Sequence, residues 1–237
     1  MKIIRVMAIV LAAAAIATAC RPISIGGLWG PGGTLRPYWC DPTDTAINDG
    51  HGLAANFNAA YTQPKGPLSA MDCLATSGNL RASESFAKQF PTVADAEAAG
   101  WRQAAVWSAG QGIHYVDPNR LLGPFDPNKP NWLMYDGTSP GSKLTGMMFL
   151  LDTGTSSPPA GFRGMNDHWH QHGALCTDVA PGAYPFIIGE HLTAGQCSSI
   201  GGINIVQQTV WMVHVWLPIY KGWVPTDIFN KAHALIP

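Results

Sequence analysis

The run 166-NDHWHQHGALC-176 places imidazoles at His168, His170 and His172, every second residue, with Asp167 beside them and Cys176 just beyond. In an extended chain alternate side chains share a face, so these three point one way and Trp169 and Gln171 the other. Imidazoles two residues apart can chelate one ion. The same alternation in 211-WMVHVW-216 sets Met212, His214 and Trp216 on one face, with Trp211, Val213 and Val215 on the other. His114, in 112-GIHYVDP-118, stands in a similar setting beside Tyr115. A neutral imidazole in so apolar a run needs a partner, and a metal ion, a carboxylate or a backbone carbonyl would each serve. His168 and His170 are the leading candidate ligands, with His172, His114 and His214 as candidates to complete the shell. Several His with at most one carboxylate suit a transition metal, copper or zinc ahead of iron, whereas calcium and magnesium want more oxygen. Asp167 is read as a ligand or as an acceptor that orients an imidazole. His51, His191 and His233 are read as surface or structural residues.

A second motif competes. In 149-FLLDTGTSS-157, apolar residues lead into Asp-Thr-Gly-Thr, which resembles the active-site turn of aspartic proteases, where two such Asp share a proton and activate water. The segment 186-FIIGEHL-192 resembles the apolar-apolar-Gly piece that packs behind that turn. Only one D-T-G occurs, so Asp152 needs its mate from a second copy. Otherwise Asp152 ends a buried strand and accepts hydrogen bonds from the following turn. The sequence holds no H-E-x-x-H, phosphate-binding loop or dinucleotide fingerprint.

The first twenty residues, MKIIRVMAIVLAAAAIATAC, carry Lys2 and Arg5, an uncharged apolar run and small residues before Cys20. This is the pattern of an export signal over residues 1–19, too short for a stable membrane span. Ala17-Thr18-Ala19-Cys20 resembles a bacterial lipobox, which makes Cys20 the lipidation site and the membrane a partner through it; simple secretion is the alternative. Four further cysteines, Cys40, Cys73, Cys176 and Cys197, form an even set for an oxidising compartment, and proximity favours Cys40–Cys73 with Cys176–Cys197. A net charge of -1 with 12% charged residues leaves no footprint for nucleic acid.

Residues 20–52 are rich in Gly and Pro and read as a tether and irregular arm, pinned through Cys40; residues 53–237 read as one globular domain. Helices are expected at 53–63, 82–90 and 91–101, the last with Thr92 as N-cap, Asp95 three residues on and Gly100 as its stop. Strands are expected at 113–116, 132–136, 143–152, 167–172 and 208–218, joined by turn-rich pieces. The fold class is therefore α+β, with short N-terminal helices preceding a mainly antiparallel sheet or partly open barrel.

The ordered set Gly112-Ile113-His114-Tyr115, Pro130-Asn131-Trp132-Leu133-Met134-Tyr135, Lys143-Leu144-Thr145-Gly146, Asp167 to Cys176, and Met212-Val213-His214-Val215-Trp216 resembles an uncharacterised family of exported bacterial proteins. The resemblance spans roughly residues 90 to 237 and implies that these pieces belong to one domain, without implying a chemistry. The expectation is an exported, lipid-anchored protein that binds a transition metal at the cell envelope. A metal-dependent enzyme using the same site, or an aspartic-protease-like hydrolase using Asp152, is the alternative.

Overall fold

The computed structural model describes residues 37–40, 66–164, 166–172, 174–178, 186–190, 192–205, 209–217, 228–229 and 236. The expected leader, Cys20, most of the arm, the helix at 53–63, and His51, His191 and His233 lie outside the described residues. Among the described residues no helix is long and apolar enough to cross a membrane.

Ser69 opens helix α1 (Ala70–Ala87), its side chain accepting from the Asp72 N–H at 3.1 Å. The helix begins twelve residues ahead of the expected 82–90 segment, because much of the face it buries is polar or small. Cys73, Thr76, Ser77, Leu80, Ser83, Glu84 and Ala87 follow the helical period. The buried hydroxyls are placed: Thr76 donates to the Arg163 carbonyl at 2.8 Å, and Ser77 accepts from Trp39 Nε1 at 3.1 Å. Trp39 and Cys40 belong to a short 3-10 turn, Tyr38–Cys40, and Cys40 is bonded to Cys73. Part of the arm is thus pinned to α1 through Cys40, as expected. Helix α2 (Val93–Ala98) has the expected capping box between Thr92 and Asp95, and Gly100 follows it at φ +94°.

Five strands follow the order β1-β2-β3-β4-β8, all antiparallel: β1 (Arg102–Gln103), β2 (Ile113–Val116), β3 (Trp132–Tyr135), β4 (Leu144–Asp152) and β8 (Val210–Trp216). The last four of these were expected, to within two residues at each end. A second antiparallel sheet has the order β6-β5-β7, with β5 (Leu175–Asp178), β6 (Phe186–Glu190) and β7 (Ile203–Ile205). Helix α3 (Ala194–Ser199) precedes β7, and its Cys197 is bonded to Cys176 of β5. The architecture is α+β with mainly antiparallel sheet. The two sheets are not closed into a barrel; single bridges link Ala105 to Ile187 of β6 and His170 to Met212 of β8.

The larger sheet is apolar on both faces. Ile113, Tyr115, Leu133, Tyr135, Met147, Phe149, Leu151, Trp211, Val213 and Val215 join the main core with α1 and α2. Residues of opposite parity, among them Val116, Trp132, Met148, Leu150 and Met212, form a second cluster that Ile187 of β6 packs against. His114 and His214 belong to this second face. Gly112 ends the turn before β2 at φ +75°, where a Cβ would run into the Tyr135 carbonyl oxygen. Only glycine fits both restrictions, which accounts for its place ahead of His114.

Candidate metal centre

Three parts of the chain bring imidazoles together on the second face of the large sheet. His114 comes from the middle of β2 and His214 from the middle of β8. His170 and His172 come from the segment before β5, which is held beside β8 by a bridge: the His170 N–H donates to the Met212 carbonyl and the Met212 N–H to the His170 carbonyl, both at 2.9 Å. The ring centroids form a chain. His114 to His214 is 5.8 Å, His214 to His170 is 5.3 Å and His170 to His172 is 5.4 Å. Trp132 and Trp216 wall this chain, their rings 6.4 Å from His114 and 5.9 Å from His214.

Residues 167–172 do not form the expected strand; the bridge at His170 is isolated. Side chains replace a ladder in holding the segment. Asn166 donates to the carbonyls of Trp39 and Gly66 and accepts from the Gly66 N–H, all at 3.0 Å. Asp167 accepts from the Phe162 N–H at 2.7 Å and from Trp169 Nε1 at 2.8 Å. Burial pushes the Asp167 carboxyl up to about 7 against the lowering effect of those hydrogen bonds. In these contacts Asp167 orients Trp169 and the backbone of Phe162. The alternation expected of this segment survives in outline: Trp169 joins the main core, while His170 meets the imidazoles of the other face.

His170 Nδ1 lies 3.2 Å from the His168 carbonyl, which can only accept, so Nδ1 carries a proton. A backbone carbonyl that fixes the tautomer in this way is a common support for a ligating imidazole. Burial pushes His114 down to about 4, with the Glu190 carboxylate opposing the shift and His172 adding to it. His114 is therefore neutral at neutral pH, the form that binds metal. Its Nδ1 is buried with no hydrogen-bond partner among the described residues.

Glu190 at the end of β6 brings a carboxylate to the cluster, its Oε2 3.8 Å from His172 Nδ1. Nothing in the sequence alone singles it out, beyond being a charged residue that ends an apolar run. A pocket of 310 Å³ reaches this point, lined by His114 and Glu190 together with Trp107, Ser108, Ile187 and Gly189. No group of three or more His, Cys, Asp or Glu among the described residues is set as a ready metal cage. His168 is buried, and its carbonyl orients His170.

The remaining candidates lie elsewhere. Cys40, Cys73, Cys176 and Cys197 are joined in the expected pairs, so Cys176 is no thiolate ligand. Asp152 is exposed at the end of β4, where its Oδ1 accepts from the Gly154 N–H at 2.9 Å. Hydrogen bonds from Gly154 and then Thr209 hold its carboxyl below the usual range. The other half of the protease-like pattern is β6, in the smaller sheet.

No protein-family model, curated protein or solved structure matches this chain. The functional reading therefore rests on the residues themselves.

Proposed function

We propose that this protein binds a transition-metal ion through the imidazoles of His114, His170, His172 and His214, and handles that ion at the cell envelope. The observation that carries the reading is the chain of ring separations, 5.3 to 5.8 Å, among buried imidazoles drawn from three parts of the sequence. Imidazoles bound about 2.1 Å from one ion at tetrahedral angles have ring centroids roughly 5 Å apart. Neutral His114, the tautomer of His170 and the nearby carboxylate of Glu190 support the same reading. The envelope location rests on the leader and on Cys20 as a lipid anchor.

A metal-dependent enzyme is the second reading, favoured by the pocket that meets His114 and Glu190. An ion there would be within reach of a small molecule, with Glu190 placed to accept a proton from a bound water. The aspartic-protease reading draws less support, since Asp152 is exposed and held ionised whereas a catalytic dyad shares a proton.

The test is elemental analysis of the mature chain, purified without a histidine tag and reconstituted with copper, zinc and iron in turn. We expect a stoichiometric ion in the wild type and its loss in His170→Ala/His214→Ala. A wild type that takes up no metal, or a double variant that keeps it, refutes the site.

A further inference from the structure

The strand registers bring sulfur to the imidazole cluster. His114 stands opposite Met134, His214 opposite Met148, and His170 opposite Met212. Directly opposed residues of an antiparallel pair project to the same face, with Cβ atoms about 4.5–5.5 Å apart. Each of these imidazoles therefore has a thioether as its cross-strand neighbour, and all three methionines are buried. Gly146 separates Met134 from Trp216 in one row across the sheet. A Cβ there would stand 2.6 Å from the Met134 methyl and 3.0 Å from the Trp216 ring, so the glycine leaves that space to them. Met147, the neighbour of Met148 in β4, points the other way into the main core.

We propose that the ion taken by this cluster is monovalent copper, bound by some of these imidazoles together with one or more of the thioethers of Met134, Met148 and Met212. This rests on the metal reading above and adds the ion's identity and oxidation state. A thioether is a soft, uncharged ligand that selects Cu(I), while zinc is served by imidazole, thiolate or carboxylate. The burial of the site points the same way. The cost of taking an ion out of water rises with its charge, and neutral ligands offset a single positive charge more readily than a double one.

The test is competition for Cu(I) against bicinchoninate, without oxygen and with ascorbate as reductant, beside a parallel titration with Zn(II). The untagged chain is compared with Met134→Leu/Met148→Leu/Met212→Leu, with Met147→Leu as the control on the opposite face. Leucine for methionine nearly conserves volume and commonly costs little stability, and a thermal melt checks the fold. We expect the triple variant to lose about tenfold or more in Cu(I) affinity, the size of effect that altered surroundings bring to a metal site. Zn(II) affinity and the Met147→Leu control should be unchanged. Should the triple variant fail to fold, X-ray absorption at the copper edge of the loaded wild type decides: sulfur scatterers support the proposal, and nitrogen or oxygen alone overturns it. Cu(I) affinity unchanged in a folded triple variant, but lost in His170→Ala/His214→Ala, overturns the thioethers and leaves the metal site standing. A wild type that binds neither ion overturns both.

Discussion

Asn131 is expected to hold the end of the β3–β4 ladder by acting as a piece of backbone. The register pairs Trp132 with Met148, so the next position in step sets Pro130 across from Leu150. Proline has no N–H to give to the Leu150 carbonyl. The Asn131 carboxamide supplies what is missing: its Nδ2 donates to the Leu150 carbonyl at 2.8 Å, and its Oδ1 accepts from the Leu150 N–H at 3.0 Å. The same Nδ2 also reaches the Arg120 carbonyl at 2.9 Å and that of Leu121 at 3.3 Å, tying down the loop ahead of Trp132. In Asn131→Ala, two buried backbone groups of Leu150 lose their partner. A buried polar group left unsatisfied costs about 1–3 kcal/mol, so the substitution should cost roughly 2–6 kcal/mol in all. At the few degrees per kcal/mol typical of this chain length, Tm should fall by roughly 5–15 °C. Urea unfolding followed by circular dichroism measures the loss, and amide hydrogen exchange locates it at Leu150. A loss under about 1 kcal/mol with Leu150 still protected would refute the ladder substitution, since net values that small belong to hydrogen bonds replaced by water.

Replacing both Cys176 and Cys197 by Ser opens a cross-link of sequence separation 21 between β5 and α3. On loop entropy this should cost about 3 kcal/mol, and a melt matching that of the oxidised wild type would contradict it. Tyr115 is pushed up to about 12, first by burial, then by its hydrogen bond to Glu97 at 3.0 Å and that carboxylate's charge. The folded state keeps a phenol proton that the unfolded chain releases near pH 10, so this stabilisation is complete below about pH 10 and is lost as pH rises toward 12. Tyrosinate absorbance, taken as the difference between wild type and Tyr115→Phe, should show that midpoint and a lower one in Glu97→Gln. Equal midpoints would remove Glu97 from the account.

Short, nearly continuous apolar runs bounded by turn residues were enough to find β2, β3, β4 and β8, because each presents side chains to a core on either face. The capping box likewise marked α2, since Thr92 and Asp95 satisfy each other's backbone locally. Helix α1 was half hidden because the face it buries is rich in Thr, Ser and Glu, paired to groups far away in sequence. Strands β5 to β7 are three to five residues long, and their pairing is set across loops. At the candidate site, the alternating histidines were legible, as was the sharing of a face by Met212, His214 and Trp216. The meeting of His114 with His214 was not, because β3 and β4 lie between their strands in the sheet. Glu190 escapes the sequence for a similar reason: the pairing of Ile187 with the chain around Ala105 carries β6 to the pocket.

β8 is the last strand in sequence among the described residues, yet it sits between β4, with which it pairs along seven residues, and the bridge to His170. A chain synthesised only as far as β7 would carry His114, His170 and His172 but neither His214 nor the partner of the His170 bridge. The imidazoles are thus assembled in one late, long-range closure, a kind of contact that forms slowly because distant segments must first find each other. If the cluster takes an ion as proposed, ion capture would report that this closure is made: a chain stalled before β8 would have no complete cluster to load.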